Sequence, residues 1–100
     1  MYRFVRTARP RTAANVPAAL QFSAQVTEHL NRTYGLNMKA GIELFGKSRL
    51  HWHYEAPSID AMTAINRKLM ADHAYQEVLE KNNHLWLEGS MKDQVISLLD

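Results

Sequence analysis

Residues 38–56 read MKAGIELFGKSRLHWHYEA, and this stretch decides the fold because it predicts a β-hairpin. Apolar side chains fall on the even positions of residues 38–44, and Leu50, Trp52 and Tyr54 continue on even positions after the turn. Successive side chains of a strand point to opposite faces, so each strand has one apolar face. The two apolar faces coincide only if even residues pair with even residues, which a three-residue turn at 46–48 provides.

A helix is predicted on each side of this hairpin. Before it, apolar residues recur at helical spacing over residues 16–34, with Asn15 as the N-cap and Gly35 as the C-terminal stop. After it, Ser58 caps a second helix, which breaks near Asp72. Because aspartate is a preferred N-cap, Asp72 is predicted to start a further helical segment.

Two more strands are predicted towards the ends of the chain. The first runs from Tyr2 to about Arg9 and stops at Pro10, and the last runs from Leu85 to about Gly89. Residues 91–99 are predicted to form a short amphipathic tail. The resulting order, β-α-β-β-α-β, predicts an α+β, ferredoxin-like fold with a four-stranded antiparallel sheet, as a single domain over residues 1–100.

The amino-acid composition argues against a disordered, a membrane-spanning and a disulfide-bonded protein. Hydrophobic residues make up 46% of the chain, too many for a disordered one, yet no apolar run approaches the roughly 20 residues of a membrane span. Cysteine is absent, which excludes a disulfide framework and a thiolate metal site. The start is rich in arginine and has no acid before Glu28, as in some transit peptides, but its removal would delete the first strand. We therefore expect a cytoplasmic protein that does not enter a membrane.

The sheet face away from the helices is predicted to mix apolar and ionisable side chains. Strand one is ambiguous, because either Val5 and Thr7 or Phe4 and Arg6 point this way. Such a surface indicates a partner sheet, a ligand cleft, or both. The members expected from the other strands are Lys39, Glu43, Phe45, Arg49, His51, His53, Glu55, Trp86 and Glu88.

A histidine–carboxylate couple is predicted on this face. The assumed register places Glu43 opposite His51 and Lys39 opposite Glu55. As structural charge pairs, such neighbours contribute roughly 0.2–1 kcal/mol each. If the couple is instead catalytic, His51 is the candidate general base, Glu43 is its orienting partner and His53 is a second acid–base group. A His-x-His metal site has no second motif to support it, so no metal is predicted.

Four further residues are candidates for ligand binding. Phe45 and Trp86 are expected to form an apolar wall, and Glu88 shares their face. Arg6 is expected to hold an anionic group if strand one turns it towards the ligand. Small-molecule sites typically combine apolar area with a few polar groups, and these four residues supply both.

An RNA-binding module is the alternative that the same order of elements allows. Aromatic residues alternate in strand three, as they do on the base-stacking strands of such modules. The glycine-containing basic–aromatic signature of those modules is missing, however, and Trp52 and Tyr54 are needed for the core. The net charge of +2 is also small for electrostatic binding, so no nucleic-acid partner is expected.

Two stretches, MADHAYQEVL at 70–79 and LWLEGS at 85–90, resemble NIPSNAP-like sequences. The chain thereby resembles the dimeric α/β-barrel superfamily, which also includes antibiotic-biosynthesis monooxygenases, stress-responsive A/B-barrel proteins and muconolactone-isomerase-like proteins. The resemblance implies a homodimer in which two four-stranded sheets pack face to face. It also implies a pocket between each sheet and its helices, or within the barrel. The Asn, Trp and His pattern of the haem-degrading members is not recognisable at matching positions, and no cofactor is expected.

Two functions remain open at this point. The first is a cofactor-independent oxygenase or isomerase that acts on a small aromatic metabolite. The second is a non-catalytic dimer that binds a ligand or has a structural role, with the same residues forming interface pairs. Members of the superfamily differ in activity, so the fold alone does not choose between them.

Overall fold

Four antiparallel strands form one sheet in the computed structural model, which describes residues 1–99. The sheet order is β2-β3-β1-β4, and three helices cover one face, so the predicted ferredoxin-like architecture is confirmed. No helix within the described residues is long and apolar enough to cross a membrane. The elements are β1 (Tyr2–Ala8), α1 (Val16–Tyr34), β2 (Lys39–Ile42), β3 (Leu50–Ala56), α2 (Ile59–Met70), α3 (His73–Lys81) and β4 (Lys92–Ser97), with short 3-10 turns at Ala13–Asn15 and Asn83–Leu85.

The predicted helix ends are confirmed. Asn15 is the N-cap of α1 by position, but its side chain accepts from Thr12 and not from an amide of the helix. Gly35 ends this helix in the left-handed conformation (φ 65°) that glycine adopts without a steric penalty. The Ser58 hydroxyl accepts a hydrogen bond from the third amide of α2 (3.1 Å). Asp72 likewise accepts from the amide of Tyr75 (3.0 Å) and starts α3 where the break was predicted.

The hairpin keeps the predicted parity but not the predicted register. Ala40 lies opposite Trp52 and Ile42 opposite Leu50, so even residues share the face that the helices cover. The pairing is nevertheless displaced by two residues, which places Gly41 opposite His51. The predicted opposition of Glu43 and His51 is therefore wrong.

The displaced register has a local cause. The amide of Glu43 donates to the carbonyl of Arg49 (3.0 Å), and the Glu43 carboxylate accepts from the Arg49 amide (2.8 Å) and guanidinium (2.9 and 3.0 Å). These bonds close a longer loop over residues 44–48 instead of a tight three-residue turn. Lys39 consequently lies opposite His53, and its predicted pairing with Glu55 is also wrong.

The last strand lies later in the chain than predicted. Leu85 ends a 3-10 turn, and Trp86 makes only an isolated bridge with Pro10. The fourth strand is β4, which pairs with β1 where an amphipathic tail was predicted. Because β4 is an edge strand and exposed along its whole length, it lacks the alternating burial that marks β3.

Strand one turns its even residues towards the helices. Phe4 lies opposite Tyr54 and Arg6 opposite Trp52, on the same face as the buried side chains of β3. Val5 and Thr7 therefore lie on the opposite face, which settles the ambiguity of this strand. That uncovered face of the sheet carries Arg3, Val5, Thr7, Lys39, His51, His53, Glu55, Lys92, Gln94 and Ile96.

Candidate functional site

A cavity of about 1000 Å³ lies between the covered face of the sheet and the helices, and it opens to solvent. Its floor comes from β1, β3 and β4, and its roof comes from α1, α2 and α3. The segment 86–91, which leads into β4, completes the wall. This volume is at the upper end of the range for small-molecule sites.

Aromatic side chains form the apolar wall. The ring of Trp86 lies 5.4 Å from that of Phe22 and 5.5 Å from that of Trp52, in both cases edge to face. Phe4 and Tyr54 form a second pair at 5.6 Å on the floor. These separations are in the favourable range for aromatic pairs, so the wall is held by its own packing.

A polar centre interrupts this apolar lining. Arg6 on β1 and Asp93 on β4 are register partners, and the Arg6 guanidinium donates two hydrogen bonds to the carboxylate, from Nε (2.7 Å) and Nη2 (2.9 Å). The hydrogen bond to Asp93 raises the pKa of Arg6, so this side chain is a permanent cation.

Tyr75 brings a hydroxyl to the same centre. The first turn of α3, fixed by the Asp72 cap, buries this tyrosine beside Arg6. Burial raises the pKa of Tyr75, while the charge of Arg6 lowers it. Because the net direction is upward, the phenol is protonated at neutral pH and is available as a hydrogen-bond donor.

Three of the four predicted ligand-binding residues line this cavity, namely Arg6, Trp86 and Glu88. Trp86 does so from the loop after the 3-10 turn and not from a strand face. Phe45 lies at the tip of the hairpin loop, is 90% exposed, and is not part of the lining. Whether the three lining residues bind a ligand stays a prediction.

The predicted catalytic residues do not line the cavity. His51 and His53 lie on the uncovered face of the sheet, both half-buried. Glu43 is bound to Arg49, whose guanidinium lowers the pKa of this carboxyl to about 2. Glu43 is thus engaged by Arg49, and the catalytic roles of Glu43, His51 and His53 stay predictions.

Asp93 and Tyr75 are the members of the polar centre that the sequence did not predict. Asp93 follows from the register once β4 is placed at 92–97, because it is then the direct neighbour of Arg6. The position of Tyr75 could have indicated its role. It is the third residue after the Asp72 N-cap, so it lies in the first turn of α3, where it faces the sheet.

A second polar cluster joins α1 to the start of α3. Tyr34 (2.6 Å) and His29 (2.8 Å) both donate to one oxygen of the Asp72 carboxylate, and the other oxygen caps α3. The Tyr34 bond, followed by the His29 bond, holds the pKa of Asp72 well below its usual range. The same bond raises the pKa of Tyr34. None of these three side chains lines the cavity, so the cluster serves to fix the helices that do.

No group of three or more His, Cys, Asp or Glu side chains is arranged to hold a metal ion within residues 1–99.

No protein family model matches the sequence, and a search of curated proteins found no relative. The comparison with solved structures, in contrast, found matches over nearly the whole chain.

The structural neighbours are NIPSNAP family proteins and antibiotic biosynthesis monooxygenase-like proteins. A NIPSNAP family protein from Agrobacterium tumefaciens has a TM-score of 0.83 at 16% identity, covering 99% of this chain and 93% of its own. An uncharacterised NIPSNAP domain protein from Burkholderia xenovorans has a TM-score of 0.82 at 18% identity, covering 99% and 95%. A candidate antibiotic biosynthesis monooxygenase from Nitrosomonas europaea has a TM-score of 0.77 at 13% identity, covering all of both chains. At these identities the likeness shows a shared ferredoxin-like fold, and the predicted resemblance is confirmed at that level.

Proposed function

We propose that the protein is a homodimer that binds a small aromatic molecule in the cavity between the sheet and the helices, and that it acts on this molecule as a cofactor-independent oxygenase or isomerase. The observation that carries the proposal is one cavity that combines an aromatic wall with two hydrogen-bond donors, Arg6 and Tyr75. A largely apolar pocket with a few convergent polar groups is the usual form of a small-molecule site.

The aromatic wall favours a flat ligand. Trp52, Phe22 and Trp86 present faces and edges of rings to the same space, and aromatic ligands gain from both stacked and edge-to-face contacts. Apolar residues of α2, such as Met62 and Ile65, close the opposite side. Burial of a ring system here removes apolar surface from water at roughly 25 cal/mol per Å².

The polar centre supports chemistry at an oxygen-bearing carbon. Arg6, although paired with Asp93, and the protonated Tyr75 donate hydrogen bonds to a ligand oxygen, and such bonds stabilise the partial negative charge that develops there during enolisation. In an isomerase, the proton removed from one carbon returns to another carbon and no oxidant is needed. In an oxygenase, molecular oxygen is the co-reactant: a CH₂ group becomes a carbonyl, and the second oxygen atom leaves as water.

The second candidate function is non-catalytic binding of the same ligand. It is favoured by the engagement of Asp93 with Arg6, which leaves this carboxylate poorly placed to remove a proton. Incubation of the protein with aromatic ketones and phenols under air, with mass spectrometry of the small molecules, separates the two functions. Conversion that Arg6→Gln and Tyr75→Phe both slow identifies the enzyme, and binding without conversion identifies the binder.

A cavity-filling variant tests the location of the site. Ile65 lines the cavity, whereas its neighbour Ala64 on α2 is exposed and does not. We expect Ile65→Trp to weaken the binding of 2-naphthol at least tenfold and Ala64→Trp to leave it within twofold, both measured by equilibrium dialysis. Equal binding by both variants would contradict the proposed location.

The uncovered face of the sheet supports the homodimer. This face combines apolar Val5 and Ile96 with polar groups, and it is the surface through which two sheets would pack. We expect sedimentation velocity to give a dimer, and Val5→Lys at the centre of the face to give a monomer. Leu99→Lys, a matched charge at a position that is 93% exposed and outside the sheet, should leave the dimer intact. A wild-type monomer would refute this part of the proposal.

A further inference from the structure

The charges that line the cavity cancel. Within residues 1–99, four charged side chains lie in the lining, the cations Arg6 and Arg11 and the anions Glu88 and Asp93. A site that selects an anionic ligand needs an excess of positive charge facing the ligand. The lining residues that the structure describes carry no such excess, so together they do not favour either sign.

The hydrogen bonds around Arg6 also indicate that this cation presents no net charge to a ligand. Asp93 takes Nε and one Nη2 proton of the guanidinium in a two-bond contact, the strongest form of an arginine–carboxylate pair. The guanidinium has further Nη protons beside these two, and they can donate to the adjacent Tyr75 hydroxyl or to a ligand oxygen. A cation already paired in this way offers hydrogen bonds to a ligand without offering a net charge.

Asp93 therefore discriminates between two kinds of ligand. A ligand carboxylate that approaches the free side of Arg6 would lie close to the Asp93 carboxylate, and like charges at short range repel in a partly buried site. A neutral carbonyl accepts the same hydrogen bonds from Arg6 and Tyr75 without this cost. A neighbouring N–H or O–H of the ligand could also donate to Asp93.

We propose that the cavity selects uncharged aromatic carbonyl compounds, such as amides and ketones, against the corresponding carboxylates, and that Asp93 is the residue that sets this selectivity. The proposal rests on the proposed function, because it names the chemical class of ligand for the same cavity. It reverses the expectation that Arg6 holds an anionic group, since the anion that Arg6 holds is part of the protein itself.

The test uses two ligands of nearly equal shape, 2-naphthamide and 2-naphthoate, with calorimetric titration at pH 7. We expect the wild-type protein to bind the amide at least tenfold more tightly. In Asp93→Asn the preference should move towards the carboxylate by about 10- to 100-fold, because Arg6 is then an unpaired cation. The two affinities are compared within one variant, so a partial loss of folded protein affects both equally and cancels in their ratio.

Two further variants complete the test. Glu55→Gln removes the same charge from a cross-strand pair with Arg3 on the uncovered face, and it should leave the ratio within twofold. Arg6→Gln combined with Asp93→Asn should remove the carboxylate preference that Asp93→Asn alone creates. Binding of both ligands with an unchanged ratio in Asp93→Asn would overturn the selectivity while leaving the cavity as a ligand site. Binding of neither ligand to the wild type would overturn the proposed function itself.

Discussion

The carboxylate of Asp72 joins three parts of the fold, and its removal should destabilise the protein more than the loss of an ordinary helix cap. Its two oxygens accept from the Tyr34 hydroxyl, from His29 and from the amide of Tyr75, and the side chain is 11% exposed. The first two bonds tie α1 to the α2–α3 junction, and the third starts α3. Asp72→Ala breaks all of them at once.

The magnitude follows from the separate bonds. Loss of an N-cap costs about 1 kcal/mol, and a hydrogen bond to a charged group contributes about 1.5–3 kcal/mol. Because Tyr34 and His29 are partly exposed and recover some hydrogen bonds to water, we expect Asp72→Ala to cost about 3 kcal/mol in total. For a chain of this size, that lowers the Tm by about 12–24 °C.

The matched control is Ser58→Ala. Ser58 caps α2 through a single hydrogen bond (3.1 Å) and has no further partner of the kind that Asp72 has. We expect this control to cost about 1 kcal/mol, measured by urea denaturation at pH 7 alongside Asp72→Ala. Equal costs for the two substitutions would refute the reasoning, because the bonds from Tyr34 and His29 would then contribute nothing.

The pH dependence gives a second readout of the same cluster. The pKa of Asp72 is lower in the folded protein than in the unfolded chain, so its contribution is complete above the ordinary aspartate value of about 3.9 and is lost as the pH falls towards the lowered value. Asparagine also caps helices but does not titrate. The stability difference between wild type and Asp72→Asn should therefore shrink by about 1 kcal/mol between pH 5 and pH 3. A difference that stays constant over this range would contradict the assignment.

Three other predictions concern the packing and the turns. Leu50 is 1% exposed, so Leu50→Ala should cost about 2–5 kcal/mol in urea denaturation, whereas Leu44→Ala, at a position 84% exposed, should cost under about 0.5 kcal/mol. Gly35→Ala places a side chain at φ 65° and should lower stability by about 1 kcal/mol, while Gly41→Ala, at ordinary strand geometry, should not. Glu43→Gln should speed hydrogen exchange of the loop amides at 44–48, with the amides of β1 unchanged as the internal reference.

The features that the sequence predicts well are those decided by neighbouring residues. Asn15, Gly35, Ser58 and Asp72 act through hydrogen bonds or backbone conformations within a few positions, so the helix ends could be located from the sequence. The parity of the hairpin is of the same kind, because one apolar face has to be buried. These signals were sufficient for the order of elements and for the fold.

The features that the sequence does not predict depend on distant partners. The hairpin register is an exception, because Glu43 and Arg49 are only six positions apart. The apolar pattern fits the observed register and the tighter turn equally well, so the sequence does not choose between them. β4 is exposed on both faces, so its composition carries no burial pattern that separates a strand from a helix. Arg6 and Asp93 are 87 positions apart in the chain, and their pairing becomes visible only when β4 is placed.

The central claim, that the cavity between the sheet and the helices is a ligand site, is tested most directly by NMR on the two tryptophans. The chain has only Trp52 and Trp86, and both line the cavity, so their indole N–H signals report on it specifically. On titration of ¹⁵N-labelled protein with 2-naphthol, we predict that both signals shift and saturate together, and that Ile65→Trp suppresses these shifts. The account would be contradicted if the indole signals did not move up to the solubility limit of the ligand, while the backbone amide spectrum remained that of the folded protein.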